Sequence, residues 1–354
     1  MKNSEGIVSG IVLLPQTAEL TETIGCKTVV LAGGGSGQVF RDTTNPEMAT
    51  GDAIYLAGRV GAYLSNLRFN QFHPTAFLKK EHGRHFLISE AVRGFGAYIV
   101  NDQHERFLYR YDPRGELATR DIISKAILTE LKSGKTAAVY LDCTHLDIEA
   151  FKQHFPTIYD QLTLEQITIQ TDLIPITPVA HYQCGGVKVN ECGQTSCENV
   201  FAVGECAETG LHGKNRLASN SLLEAVVFAK RVAGHIANTI DDINWSDAQT
   251  ITISFSREAD TFCQSIIDLI KNTMTAHFSI DCEQEAHQQG YQLLCKLERI
   301  LQSGKSASFD RLKTESLLFV AKAIARDHLH PNLKKITQKE DKKVLNNSYF
   351  NYHD

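Results

Sequence analysis

The chain has 354 residues, 42% of them hydrophobic, and a formal net charge of −5, enough to bury the cores of two or three domains and the wrong sign for a nucleic-acid binder. No run of about 18 apolar residues occurs, and Met1-Lys-Asn-Ser-Glu-Gly lacks the basic-then-apolar layout of a signal peptide, so a cytoplasmic chain with no membrane partner is expected. Its nine cysteines include no C-x-x-C pair, which predicts reduced thiols rather than a disulfide framework.

Residues 7–14 and 27–32 read as strands. The second runs into Gly33-Gly34-Gly35-Ser36-Gly37, where missing side chains let backbone approach a ligand closely. These glycines do not complete a G-x-G-x-x-G phosphate fingerprint with a downstream acid. Thr50-Gly51-Asp52 is expected to cap an apolar-periodic helix, with the acid suited to the helix dipole. His73 precedes Pro74 and is thereby held extended. A further amphipathic helix opens near Thr119, where Arg120-Asp121 by itself reads as no more than an ion pair at a helix start. Short strands and helices alternate through residues 140–180. Cys192 and Cys197 flank the pattern of a hairpin turn rather than half of a metal site, and no metal is expected.

The densest chemistry lies between His181 and Glu224. Residues 199–203 form a short apolar run stopped by Gly204, so a buried strand delivers Glu205 to a loop at its carboxyl end, where ligands of open α/β sheets sit. The chain then turns into a helix with Asn220 or Ser219 at its N-cap, which points free N–H groups at a ligand. Arg216 offers a planar fork to a carboxylate, and His212 and His181 can add hydrogen bonds. Two histidines and an arginine in glycine-rich loops can equally do no more than tie the loops down. Beyond the polar stretch 241–246, residues 262–270, 288–301 and 316–326 have helical spacing, and 334–343 reads as a solvated, charged tail.

The strings HYQCGG (181–186), Gly204-Glu205 and LHGKNRLASNSLLE (211–224), in this order and at these spacings, resemble the flavoprotein family of succinate dehydrogenase, fumarate reductase and L-aspartate oxidase. QFHPT (71–75) and the Ala118-Thr119-Arg120-Asp121-Ile122 string are similar to further motifs of that family. So is Ser89-Glu90-Ala91-Val92-Arg93-Gly94-Phe95-Gly96, except that Phe95 stands where the family has glutamate. Gly33 stands where threonine is usual in the family's second glycine stretch.

The resemblance implies an α/β flavoprotein. A partial Rossmann-like FAD domain would occupy residues 1–71 and 183–240, an inserted α+β capping domain 72–182, a C-terminal helical domain 250–330, and a tail 331–354. It implies FAD as cofactor, met by Gly33, Gly34, Asp52, Glu205, Ser221 and Leu222. It implies a dicarboxylate held by His73, Ser89, Glu90, His181 and Arg216, with Arg216, His181 and His73 giving a cationic or donor group at each end. Arg120 would exchange the substrate proton while the flavin exchanges hydride. Arginine is a poor base at its reference pKa, so that role requires a desolvated, neighbour-tuned site.

Only 26 residues precede Lys27, so the family's N-terminal βαβ unit for the FAD pyrophosphate is expected to be missing, and FAD affinity with it. Residues 70–76, Cys184 and residues 218–224 resemble the oxidase members more than the dehydrogenases. The implied activity is FAD-dependent oxidation of L-aspartate to iminosuccinate, with oxygen or fumarate as acceptor, feeding the quinolinate route to NAD in functional coupling with quinolinate synthase. Two alternatives stand beside it: a succinate dehydrogenase or fumarate reductase flavoprotein subunit with an iron–sulfur partner, and a non-catalytic remnant.

Overall fold

A computed structural model describes residues 1–3, 5–15, 18–243, 245, 250–304 and 308–331; the charged run 334–343 and most of the polar linker 244–249 lie outside the described residues. The elements in chain order are β1 (Gly10–Leu13), β2 (Glu22–Gly25), β3 (Val29–Leu31), α1 (Asp52–Val60), β4 (Leu64–Ser65), β5 (Asn70–Glu81), β6 (Arg84–Leu87), α2 (Glu90–Gly94) and β7 (Tyr98–Asn101). Then come α3 (Arg120–Lys132), β8 (Val139–Asp142), α4 (Ile148–His154), α5 (Pro156–Leu164), β9 (Ile174–Gln183), β10 (Gly186–Lys188), β11 (Val200–Ala202), β12 (Ala207–Glu208), α6 (Asn220–Thr239), α7 (Thr261–Phe278), α8 (Gln284–Ser303) and α9 (Phe309–Leu329).

The apolar run at 199–203 becomes β11, buried along its whole length and paired in parallel with β3. Parallel pairing requires a long crossover, and here the crossover contains the whole of a second sheet. That sheet has five antiparallel strands in the order β6-β5-β9-β8-β7. Its central pair, β5 with β9, sets Gln71 opposite Tyr182 and His73 opposite Val179, with register shifts on both sides of His73. Pro74 has no N–H to give the ladder, so an irregularity beside it is the expected consequence.

Two apolar cores result. One fills the five-stranded sheet and its helices, around Ile99, Phe107, Ile123, Ile127, Leu141 and Phe151. The other runs without a break from β3, α1 and β11 into α7, α8 and α9, through Ile54, Phe201, Ile270, Leu294 and Ile324. In α8 the buried positions Gly290, Leu294, Leu297 and Leu301 have the spacing of one helical face. A Cβ on Gly290 would come within 2.6 Å of His277, so α7 and α8 cross where only glycine fits. Lys322 donates to both oxygens of Glu298 at 2.7 Å, and Arg68 pairs with Asp327 at 2.9 Å, tying α9 to α8 and to the turn before β5.

The three C-terminal helices are longer than their apolar periodicity suggests. Asp260 and Ser308 cap α7 and α9 by accepting from Cys263 N and Arg311 N, which fixes starts that lie before the apolar pattern begins. The cap expected at Thr50 is instead Gly51 in a left-handed conformation, φ 81°, with no side-chain capping bond. A Cβ there would lie 2.9 Å from Val320 of α9, so helix packing as well as the dihedral selects glycine. No helix among the described residues is long and apolar enough to cross a membrane.

Candidate active site

β5 and β9 carry Gln71, His73 and His181 to the junction between the two cores, α2 and α3 present Glu90 and Arg120 by their first turns, and the loop before α6 adds Arg216. Arg120 Nε donates to Glu90 Oε2 at 2.6 Å and Nη1 donates to Gln71 Oε1 at 2.9 Å. The helix-start pair with Asp121 is not formed; Asp121 accepts from Asn215 instead. Ser89 caps α2 by accepting from Ala91 N, which leaves its O–H available to donate.

His73 is 1% exposed, and its Nδ1 accepts from Thr75 N at 3.3 Å. That bond leaves the proton on Nε2, which is buried without a hydrogen-bond partner among the described residues. Burial, then the fields of His181, Arg120, Arg93 and Arg216, hold its pKa well below the ordinary value. The His181 ring meets the His73 ring edge to face at 5.1 Å, and burial with Arg120 and Arg216 takes its pKa down to about 3. The expectation of cationic or donor groups narrows accordingly: both rings are neutral, His73 offers its Nε2–H while His181 Nδ1 meets Thr44 Oγ1 at 2.9 Å, and the positive charge comes from arginine.

Arg216 is 6% exposed. Its guanidinium carbon lies 4.2 Å over the Tyr182 ring, Nε has no hydrogen-bond partner among the described residues, and Nη1 reaches only Leu217 O and Ser221 Oγ at 3.5 Å. An aromatic face holds this cation in place while leaving its fork open. Arg93, not among the residues singled out from sequence, is 2% exposed; Nη1 donates to Glu116 O at 2.7 Å, while Nε and Nη2 have no hydrogen-bond partner among the described residues. Burial, with Arg120 beside it, lowers its pKa to about 10. Its sequence signal was its place in the Ser89–Gly96 string, three residues after Glu90. Glu224, which closes the LHGKNRLASNSLLE string but was given no role there, accepts from His212 Nε2 at 2.7 Å and from Thr209, and His212 in turn meets the Tyr182 hydroxyl at 3.5 Å.

The remaining residues meet on the other side. Gly34 has φ 74°, and a Cβ on Gly35 would lie 2.2 Å from Glu205 Oε1, so the glycine loop after β3 runs against the turn after β11. Glu205 Oε1 accepts from Gln183 N at 2.9 Å, and burial pushes its pKa up to about 7. Gly204 approaches α6 at Ala225. α6 opens from Ser219 in a left-handed conformation with no side-chain capping bond, so the first N–H groups of the helix, those of Ser221 and Leu222 among them, lack a cap acceptor. Asp52 begins α1 and is exposed, with one oxygen accepting from Ser316 at 2.8 Å. A bare glycine loop, uncapped helix N–H groups and an exposed Leu222 fit a polar, flat-ringed cofactor such as the flavin of FAD.

Residues 1–222 match the model of the FAD binding domain family. L-Aspartate oxidase of Yersinia pestis is 45% identical over 229 residues, covering 65% of this chain and 43% of that protein. The Vibrio cholerae enzyme of the same name is 48% identical over 222 residues, covering 63% and 41%. The chain thus spans less than half the length of these curated relatives. Among solved structures, E. coli quinol fumarate reductase superposes with a TM-score of 0.77 at 26% identity, covering 92% of this chain and 62% of that one. Mycobacterium smegmatis Sdh1 does so at 0.76 and 27%, covering 92% and 58%. With a glycine loop, an uncapped helix start and a cluster of buried arginines set between two cores, the chain belongs to the FAD binding domain family, among the flavoproteins related to L-aspartate oxidase and fumarate reductase.

Proposed function

We propose that this chain carries the dicarboxylate site of an L-aspartate oxidase, the FAD-dependent oxidation of L-aspartate to iminosuccinate with oxygen or fumarate as acceptor. The observation that carries the reading is the convergence of Arg93, Arg120 and Arg216 with the neutral rings of His73 and His181. His73 Nε2, Arg93 Nε and Arg216 Nε have no hydrogen-bond partner among the described residues, and the Glu90 carboxylate is already shared between Arg120 at 2.6 Å and Arg93 at 3.6 Å. Buried donors of this kind are costly unless an acceptor arrives, and a ligand with a carboxylate at each end satisfies them.

In this reading Gly33, Gly34, Asp52, Glu205, Ser221 and Leu222 hold the flavin end of FAD. FAD, when bound, accepts the hydride that leaves the substrate. Arg216, with the His73 and His181 rings, grips the carboxylates and fixes the substrate carbon. Arg120 releases a proton to Glu90 as it takes the accompanying proton from the substrate carbon, and Glu90, whose side chain is 40% exposed, exchanges the proton it receives with water. The oxidase assignment within the family rests on the named relatives in Yersinia pestis and Vibrio cholerae. The work of the product in NAD synthesis and a coupling to quinolinate synthase follow only if that assignment holds.

A second reading, a succinate dehydrogenase or fumarate reductase flavoprotein subunit, draws on the superposition with E. coli quinol fumarate reductase over 92% of the chain. Anaerobic mixing of the FAD-loaded enzyme with each substrate separates them. Bleaching of the flavin by L-aspartate and not by succinate supports the oxidase; bleaching by succinate alone overturns it.

A further inference from the structure

A set of side-chain hydrogen bonds beginning at Arg120 forms a closed circuit. Arg120 Nη1 donates to Gln71 Oε1 at 2.9 Å, Gln71 Nε2 donates to Asn215 Oδ1 at 2.9 Å and to Arg216 O at 2.7 Å, and Asn215 Nδ2 donates to Asp121 Oδ1 at 2.8 Å. Asp121 follows Arg120 in α3, which closes the ring. The orientation of each amide is over-determined. Arginine has only donors, so Gln71 must turn its oxygen to Arg120 and its nitrogen to the Arg216 carbonyl. Asn215 must then offer oxygen to Gln71 and nitrogen to the Asp121 carboxylate. Gln71 is 4% exposed, so its own bonds are made largely out of competition with water, whereas the bond from Asn215 to Asp121 lies at the surface.

We infer that Asn215 and Asp121 form a latch between the start of α3 and the loop before α6, and that Asn215 and Gln71 are positioning residues which set Arg120 and Arg216 at a fixed separation. The geometry gives the latch its role. Arg120 is the first residue of α3, which packs into the core of the five-stranded sheet through Ile123 and Ile127, and Arg216 precedes α6, which packs into the other core through Phe228 and Val232. Gln71 touches both, one through its side chain and the other through its carbonyl. If the latch opens, α3 can move away from the loop, and the proton-exchanging group leaves the place where the carboxylate is held. The inference deepens the proposed dicarboxylate oxidation and rests on it for the catalytic readout alone.

The test reverses the polarity of the latch in the FAD-loaded, full-length enzyme. Asn215→Asp sets a carboxylate against Asp121 and opens the latch with almost no change of volume. Asp121→Asn alone leaves an acceptor for Asn215. The double variant restores the bond, because the amide at 121 now donates to the carboxylate at 215, which still accepts from Gln71. Expected for Asn215→Asp is a kcat for L-aspartate lowered about 10- to 100-fold with KM changed by less than about 3-fold, Asp121→Asn near wild type, and the double variant recovered to within about 3-fold. Amide hydrogen exchange at residues 120–124 and 213–217 is read in parallel and does not depend on the substrate: it should rise in Asn215→Asp and return in the double variant. A double variant as impaired and as fast-exchanging as Asn215→Asp overturns the latch. Absence of L-aspartate turnover in the wild type overturns the proposed function and leaves the exchange pattern to decide the latch by itself.

Discussion

Arg120 Nε lies 2.6 Å from Glu90 Oε2, so two residues separated by 30 positions join the first turns of α2 and α3. Glu90 is the more exposed of the two, with side-chain exposures of 40% against 10%. A buried cation is thereby connected to a carboxylate that reaches solvent, which is the arrangement a proton exchange path needs.

Arg120→Lys tests that path. A lysine ammonium reaches Glu90 or Gln71 but cannot hold both with a planar fork. In the FAD-loaded enzyme, flavin binding should persist and the rate of flavin reduction by L-aspartate should fall at least ~100-fold, the size expected on losing a positioned proton acceptor. Stopped-flow bleaching at near the wild-type rate would remove Arg120 from the reaction.

Arg216→Gln addresses the carboxylate. The guanidinium lies over Tyr182 with its Nε unpartnered among the described residues, so a bound carboxylate would gain charge-assisted bonds worth about 1.5–3 kcal/mol each. Loss of one or two raises the dissociation constant of fumarate by about 10- to 10⁴-fold, readable as a shift of the flavin spectrum on titration. An unchanged affinity would place the dicarboxylate elsewhere.

Glu205 should make stability fall as pH rises. Its pKa is about 7 in the folded chain against an ordinary value of 4.5, the result of burial. Between those values the folded chain keeps a proton that the unfolded chain has lost, so unfolding becomes easier with rising pH, and the deficit persists above the upper value. Glu205→Gln removes the effect. The difference in melting temperature, variant minus wild type, should therefore grow more positive from about pH 5 to about pH 8. A difference that stays flat or shrinks over that range contradicts the assignment.

Phe95 has its effect on the fold. Its ring packs at 5.1 Å from His154 and 5.4 Å from Phe155, on the rim of the apolar core of the five-stranded sheet. Phe95→Ala is expected to cost about 1–2 kcal/mol in urea unfolding, less than a fully buried phenylalanine because the ring is half-buried. Turnover should change by less than about 3-fold, since the ring points into that core. A large drop in turnover with unchanged stability would assign Phe95 to the site.

The sequence by itself determined the elements whose signals are local. An apolar run ended by Gly204 gave β11, helical spacing gave α3 and the three C-terminal helices, and the ordered strings from QFHPT to LHGKNRLASNSLLE indicated a flavoprotein and the fold class that the FAD binding domain match bears out. Those signals are local because strand and helix periods and left-handed glycines are set by neighbouring residues. The state of each side chain at the site was decided by the tertiary structure. Whether His73 and His181 are charged depends on burial and on arginines brought from α2, α3 and the loop before α6, none adjacent in sequence. That Arg120 pairs with Glu90 rather than Asp121, that Arg93 joins the cluster, and that Gln71 and Asn215 close a ring follow from the packing of two cores against each other. Desolvation and Coulomb fields act through space, so no window of sequence contains the terms that set them.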